Sequence, residues 1–170
     1  MRLLLHRFPA VGGLLLFALL CAAIASLRYA TARQASPKYF RSDPTTTLVV
    51  TTTADSGPGS LRAALAAAND GDTIQFDPAL NGQTITLTSG ELTVDKNLTI
   101  TGPGPDQLAV SGSLASRIFH IMSGHTVVIE GLTITNGRSA AQSDGGGILN
   151  EGTLSLGSST VRSNSATQAV

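Results

Sequence analysis

The chain is poor in cysteine, in aromatic residues and in charge. Cys21 is its only cysteine, it has no tryptophan, and charged residues make up 13% of its 170 positions. A single cysteine excludes an intrachain disulfide framework, so a small exported domain of this kind must gain its stability from packing. The scarcity of aromatic rings disfavours a stacking platform for sugars. Lysine and arginine stand singly rather than in a stripe, which argues against nucleic acid as a partner.

The basic residues are unevenly distributed along the chain. Three of the 11 lysines and arginines precede residue 33 and no acidic residue does, so acidic residues outnumber basic ones in the remainder. Val11 to Leu27 is an uncharged, mostly apolar run, and the small-residue site Ala30-Thr31-Ala32 follows it. This order predicts a signal peptide over residues 1–32 and a secreted or cell-surface, extracytoplasmic protein. The alternative is a membrane anchor over residues 11–27, and membrane contact is expected only through this segment.

Two further segments precede the repetitive part of the sequence. Residues 33–45 contain two prolines and mixed charge, which predicts a flexible tether. Residues 46–83 are predicted to form an N-terminal cap with one β-branched strand and a short helix over residues 60–69. Ser60 is placed to cap this helix, and the apolar residues after it recur at helical spacing.

From residue 84 onward, short apolar stretches alternate with polar residues and are separated by Gly, Pro, Asn, Asp and Ser. A constant offset aligns VVIEGLTITNG (127–137) with LSLGSSTVRSN (154–164), and NLTITG (97–102) echoes GLTITNG (131–137). Candidate coil starts recur at intervals of similar length, at Ile85, Leu108, Leu132 and Val161. Repeats of this length with short strands predict a parallel β-helix over residues 84–170.

A solenoid of this type exposes strand edges at both ends unless something covers them. The short helix is placed to cover the N-terminal end. Nothing comparable follows the last repeat, so we expect the final coil to be covered by further sequence or by another chain.

Two stretches resemble a known group of proteins. GSLRAAL (59–65) resembles the segment called CSLREAI, and GGGILN (145–150) is similar to the repeats of polymorphic outer-membrane proteins. The chain thereby resembles secreted bacterial β-helix proteins of the pectin-lyase-like superfamily. This resemblance implies right-handed winding. Together with the repeats and the short helix, it predicts an all-β fold, a right-handed parallel β-helix solenoid of about three coils with a short N-terminal capping α-helix. The superfamily includes lyases, hydrolases and non-catalytic surface proteins, so the fold does not decide the function.

A catalytic site in such proteins needs acidic side chains from neighbouring coils in one groove. Glu130 and Glu151, which occupy corner positions, are the candidates for catalysis. Asp70 and Asp72 are the candidates for a metal, with Ca²⁺ as the only cofactor considered, although turn and capping roles are favoured for both. Arg117, like the other arginines of the repeats, is expected at the surface.

These observations favour a non-catalytic scaffold over an enzyme. The leading hypothesis is an adhesin-like β-helix that binds a polysaccharide or a cell-surface partner through its polar faces. The alternative is a fragment of a polysaccharide lyase or glycoside hydrolase of the pectin-lyase-like superfamily.

Overall fold

The computed structural model describes residues 45–139 and 144–166. The predicted signal peptide, the alternative anchor and the tether lie outside these residues, apart from Thr45. The described part contains one α-helix, α1 (Leu61–Ala67), one 3-10 helix (Pro78–Leu80) and 12 β-strands. The strands are β1 (Thr47–Val50), β2 (Thr73–Phe76), β3 (Gln83–Thr86), β4 (Leu92–Val94), β5 (Leu98–Thr101), β6 (Leu108–Ser111), β7 (Phe119–Ile121), β8 (Thr126–Glu130), β9 (Thr133–Thr135), β10 (Ile148–Asn150), β11 (Thr153–Gly157) and β12 (Thr160–Arg162).

The strands form three parallel sheets that wind as a β-solenoid, which confirms the predicted fold class. Sheet A has the order β1-β2-β5-β8-β11, sheet B has β3-β6-β9-β12, and sheet C has β4-β7-β10. All nine strand pairings are parallel. The solenoid makes about four turns rather than three, because β1 and β2 already belong to sheet A.

The register confirms the repeat that aligns residues 127–137 with residues 154–164. Val127 pairs with Leu154 in sheet A, and Ile134 pairs with Val161 in sheet B. The echo between residues 97–102 and 131–137 is misleading, however, because β5 belongs to sheet A and β9 to sheet B.

Two of the four predicted coil starts, Leu108 and Leu132, are each two positions too early. Ile85 is equivalent to Val110 and Ile134, not to Leu108 and Leu132. The error arises because Leu108 and Leu132 are also buried, so the apolar pattern alone does not separate the two columns.

The core is a stack of aliphatic side chains along the solenoid axis. Ile74, Ile100 and Ile129 occupy one column of sheet A, and each is fully buried. Leu156 continues this column in the last described coil, where it is 45% exposed. Full burial of a side chain of this size stabilises a fold by about 1.5–3 kcal/mol relative to exposure, so the inner coils gain more from packing than the last one.

Helix α1 packs against β1 and β4. Its N-cap is Ser60, as predicted, whose side chain accepts a hydrogen bond from Ala63 N at 3.1 Å. Leu61 and Leu65 are buried in the core of the solenoid, so the short helix is held by tertiary packing rather than by its own length.

Candidate functional site

A group of four charged side chains in mutual contact lies at sheet C. We call it the sheet C cluster and define it as Glu91, Arg117, His120 and Glu151. Its centre is His120, whose Nδ1 lies 3.1 Å from Glu91 Oε1 and whose Nε2 lies 3.0 Å from Glu151 Oε2. The cluster therefore joins three successive coils of the solenoid.

Strand geometry explains why these side chains meet. His120 is the middle residue of β7, and its neighbours Phe119 and Ile121 are both buried in the core. Because successive side chains of a strand point to opposite faces, the imidazole points outward. Glu91 immediately precedes β4 and Glu151 immediately follows β10, so the two carboxylates approach the ring from opposite ends of sheet C.

Arg117 connects this cluster to the loop that precedes β10. Its Nη1 lies 2.8 Å from Glu91 Oε2, and its Nε and Nη2 donate to the carbonyl oxygens of Gly145 and Asp144, each at 2.7 Å. The side chain is only 8% exposed, so the expectation of a surface position is wrong. A buried guanidinium requires partners of this kind, because a buried charge without them is strongly destabilising.

A second ion pair extends the network to the capping helix. Arg62 of α1 donates to the carbonyl oxygens of Gly90 and Glu91, and its Nη2 lies 2.8 Å from Asp55 Oδ1. Partial burial raises the pKa of Asp55, but hydrogen bonds from Ser89 and Arg62, with the positive charge of Arg62, outweigh it and lower the pKa to about 2. Asp55 is therefore ionised throughout the ordinary pH range.

The chemistry open to the sheet C cluster is limited by its internal contacts. A histidine that donates to both carboxylates carries an N–H on each ring nitrogen and a positive charge, whereas a neutral ring donates to only one of them. Glycosidases place two carboxyl groups on either side of a sugar bond with room for water or sugar between them. Here the imidazole of His120 fills the space between Glu91 and Glu151.

A small pocket lies between α1 and sheet C. Its volume is about 270 Å³, and its charged lining residues are Arg62, Glu91, Asp95 and Lys96. Lys96 Nζ lies 2.8 Å from Asp95 Oδ1, and the hydrogen bond and positive charge of this lysine lower the pKa of Asp95. All four of these charged side chains thus already have a partner of opposite charge within the protein.

The structure separates the two acids considered for catalysis. Glu130 is the last residue of β8 in sheet A, and its Oε1 accepts a hydrogen bond from Thr101 Oγ1 at 3.1 Å. Glu151 follows a strand of sheet C and contacts His120. Their side chains therefore contact different partners on different sheets, rather than sharing one face.

The two acids considered for a metal make backbone contacts. Asp70 Oδ1 accepts a hydrogen bond from Asn97 N, and the two oxygens of Asp72 accept from Thr46 N and Asn69 N, all at 2.7–2.8 Å. The backbone hydrogen bonds from Asn69 and Thr46 lower the pKa of Asp72. Within residues 45–139 and 144–166, no group of three or more His, Cys, Asp or Glu side chains has an arrangement that could hold a metal ion.

Comparison with known proteins identifies no relative of this chain. No protein-family model matches the chain, and neither the curated proteins nor the solved structures contain a significant match. In the described ranges, none of the helices has the length and apolar character needed to cross a membrane.

Proposed function

We propose that the chain is a secreted or cell-surface, non-catalytic β-solenoid scaffold that binds a polysaccharide or another surface partner in the manner of an adhesin. Membership of the pectin-lyase-like superfamily, with a CSLREAI-like segment and repeats like those of polymorphic outer-membrane proteins, is part of this proposal. The parallel solenoid and the helix at its N-terminal end are consistent with it. The proposal requires no cofactor.

The pairing of charges in the sheet C cluster is the observation that carries the non-catalytic part of the proposal. Both nitrogens of His120 contact carboxylates, and Glu91 also contacts the buried Arg117. A general acid or base must reach a proton on the substrate, whereas these groups are directed at one another. Their arrangement fits a structural role, in which the cluster joins three coils and the loop before β10.

Export to the cell surface or beyond is proposed from the sequence alone. Residues 1–32 have the charge and hydrophobicity of a signal peptide, and residues 11–27 are the alternative membrane anchor. The exposure of Leu156 and Val161 in the last described coil supports the further proposal that this edge is covered by additional sequence or by another chain.

The competing proposal is a fragment of a polysaccharide lyase or glycoside hydrolase. It is favoured by one observation, the placement of Glu91 and Glu151 on opposite sides of His120. In an enzyme of this kind, the His120 side chain would have to move away from both carboxylates, and Glu91 and Glu151 would then face a groove.

One experiment decides between the two. The chain is incubated with a panel of neutral and acidic polysaccharides, and binding, new reducing ends and unsaturated products are scored together. Binding without cleavage is the expected result. Cleavage that is lost in Glu151→Gln, with the fold retained by circular dichroism, would establish the enzyme instead.

A further inference from the structure

A groove crosses the outer face of sheet B. It has a volume of about 280 Å³ and is lined by residues of all four strands of that sheet together with the loop before β6. We call it the sheet B groove and define it by Thr84, Asp106, Gln107, Thr133, Thr160 and Arg162. It lies on a different sheet from the sheet C cluster and shares no residue with it.

The charged groups of this groove differ from those of sheet C because neither has a polar partner in the described part of the chain. Among the described residues, neither the Asp106 carboxylate nor the Arg162 guanidinium makes a hydrogen bond or an ion pair, and both side chains are exposed. In the sheet C cluster, by contrast, Arg117 and His120 are both paired with Glu91. One acceptor group and one donor group are therefore available to a ligand in the sheet B groove.

The wall of the groove is held in place before any ligand binds. The buried Thr133 donates its hydroxyl to Pro105 O at 2.7 Å. Gly104 N donates to Gly131 O at 2.9 Å, and Gln107 N donates to Gly104 O at 3.0 Å. The loop that carries Asp106 is thus fixed at several points, which lowers the entropic cost of binding.

The residues along the floor of the groove have small side chains and are regularly spaced. One outward residue from each strand forms a continuous row, in the order Thr84, Ala109, Thr133 and Thr160. Neighbouring strands are about 4.8 Å apart, so the row is about 14 Å long. Thr133 is buried and its hydroxyl is bonded to Pro105 O, so a ligand reaches the exposed lining residues Thr84, Asp106, Gln107 and Arg162 rather than the whole row.

We propose that the sheet B groove binds a short segment of a neutral oligosaccharide, an inference that rests on the proposed function and gives it a site. Asp106 accepts hydrogen bonds from sugar hydroxyls, Arg162 donates to them, and the amide of Gln107 and the hydroxyl of Thr160 do either. An acidic glycan is disfavoured by Asp106, and a cationic ligand is disfavoured by Arg162. The lining contains no aromatic side chain, so polar contacts carry the recognition.

The test uses the full chain and defined neutral probes: cellohexaose, maltohexaose, mannohexaose and xylohexaose, with hexagalacturonate as the acidic counterpart. Binding is measured by isothermal titration calorimetry for the wild type, Asp106→Asn and Arg162→Gln. The matched controls are Asp95→Asn and Lys96→Gln, which remove the same charges beside sheet C. Circular dichroism checks that each variant is folded.

We expect at least one neutral hexasaccharide to bind, and each groove variant to weaken it about tenfold or more because a hydrogen bond to a charged group is lost. The controls are expected to bind as the wild type does. Absence of binding to every neutral probe, or a preference for hexagalacturonate, overturns the proposal. Neutral binding that the groove variants leave unchanged also overturns it, while the carbohydrate-binding scaffold itself would stand.

Discussion

Arg62 Nη2 lies 2.8 Å from Asp55 Oδ1, and this ion pair joins the capping helix to the loop that follows β1. Asp55 also accepts hydrogen bonds from the backbone N of Ser89, at 2.8 Å, and from the Ser89 hydroxyl. Arg62 donates in turn to the carbonyl oxygen of Gly90 at 2.7 Å. The helix, the first strand and the turn before sheet C are therefore connected through two side chains.

The first prediction concerns the acid stability contributed by Asp55. Its pKa is lowered to about 2 in the folded protein, whereas an unfolded aspartate has a pKa of about 3.9. The contribution is therefore fully present above the unfolded value and is lost as the pH falls toward 2. The whole change in pKa corresponds to about 2–3 kcal/mol, and solvent screening of this partly exposed group reduces the expected contribution to roughly 1–2 kcal/mol. We expect urea unfolding between pH 2 and pH 5 to show a decline in the free energy of unfolding that Asp55→Asn reduces.

The control for this measurement is Asp106→Asn. Because the Asp106 carboxylate has no partner among the described residues, its loss should leave the acid-dependent decline as large as in the wild type. An equally large decline in Asp55→Asn would show that the ion pair does not cause it.

The second prediction compares the two carboxylates that contact His120. Glu91 also pairs with the buried Arg117, and Glu91→Gln would leave that guanidinium without its carboxylate. Glu151 is 49% exposed, and among the described residues its carboxylate forms a hydrogen bond or ion pair only with His120. We expect Glu91→Gln to cost about 1–3 kcal/mol of unfolding free energy and Glu151→Gln to cost less than about 1 kcal/mol. Equal costs, measured by urea denaturation, would contradict the view that Glu91 matters more because it pairs with both Arg117 and His120.

The third prediction follows one core column to the last described coil. Ile129 and Leu156 are register partners, but the first is fully buried and the second is 45% exposed. Ile129→Ala is expected to lower the unfolding free energy by about 2–5 kcal/mol. Leu156→Ala is expected to lower it by less than about 1 kcal/mol when the chain is measured alone, with the edge uncovered as in the structure. A large effect of Leu156→Ala would mean that this side chain is buried in solution, which an association of the open coil with another chain would explain.

The parts of the fold that repeat in a fixed register could be predicted from the sequence. Thr133 and Thr160 align because the same polar and apolar pattern recurs at a constant offset, and a slip of a single position would turn the apolar side chains outward. The first turns were not predicted, because a helix interrupts the coil between β1 and β2 and no repeated sequence marks their pairing.

The sheet C cluster was harder to predict for a geometric reason. His120 lies within a strand, whereas Glu91 and Glu151 lie just outside strands in other coils. Alternation along β7 accounts for the outward direction of His120, but it says nothing about side chains at corners. The coil lengths also vary, since the step from Thr73 to its partner Thr99 is shorter than the step from Leu98 to its partner Val127. Spacing alone therefore does not bring these acids together.

The last prediction separates backbone strain from collision at a corner of the solenoid. Gly131 and Gly124 both have positive φ, +68° and +84°. A Cβ at Gly131 would lie 2.5 Å from the carbonyl oxygen of Gly102 in the preceding coil, whereas one at Gly124 would meet nothing within 4 Å. Gly124→Ala is expected to cost about 1–2 kcal/mol from its left-handed conformation, and Gly131→Ala about 2–5 kcal/mol because a backbone atom cannot rotate away. Thermal and urea denaturation of the two variants provide the measurement. Equal destabilisation would mean that the coils do not approach each other this closely at Gly102. The inference that they stack tightly at this corner would then be wrong.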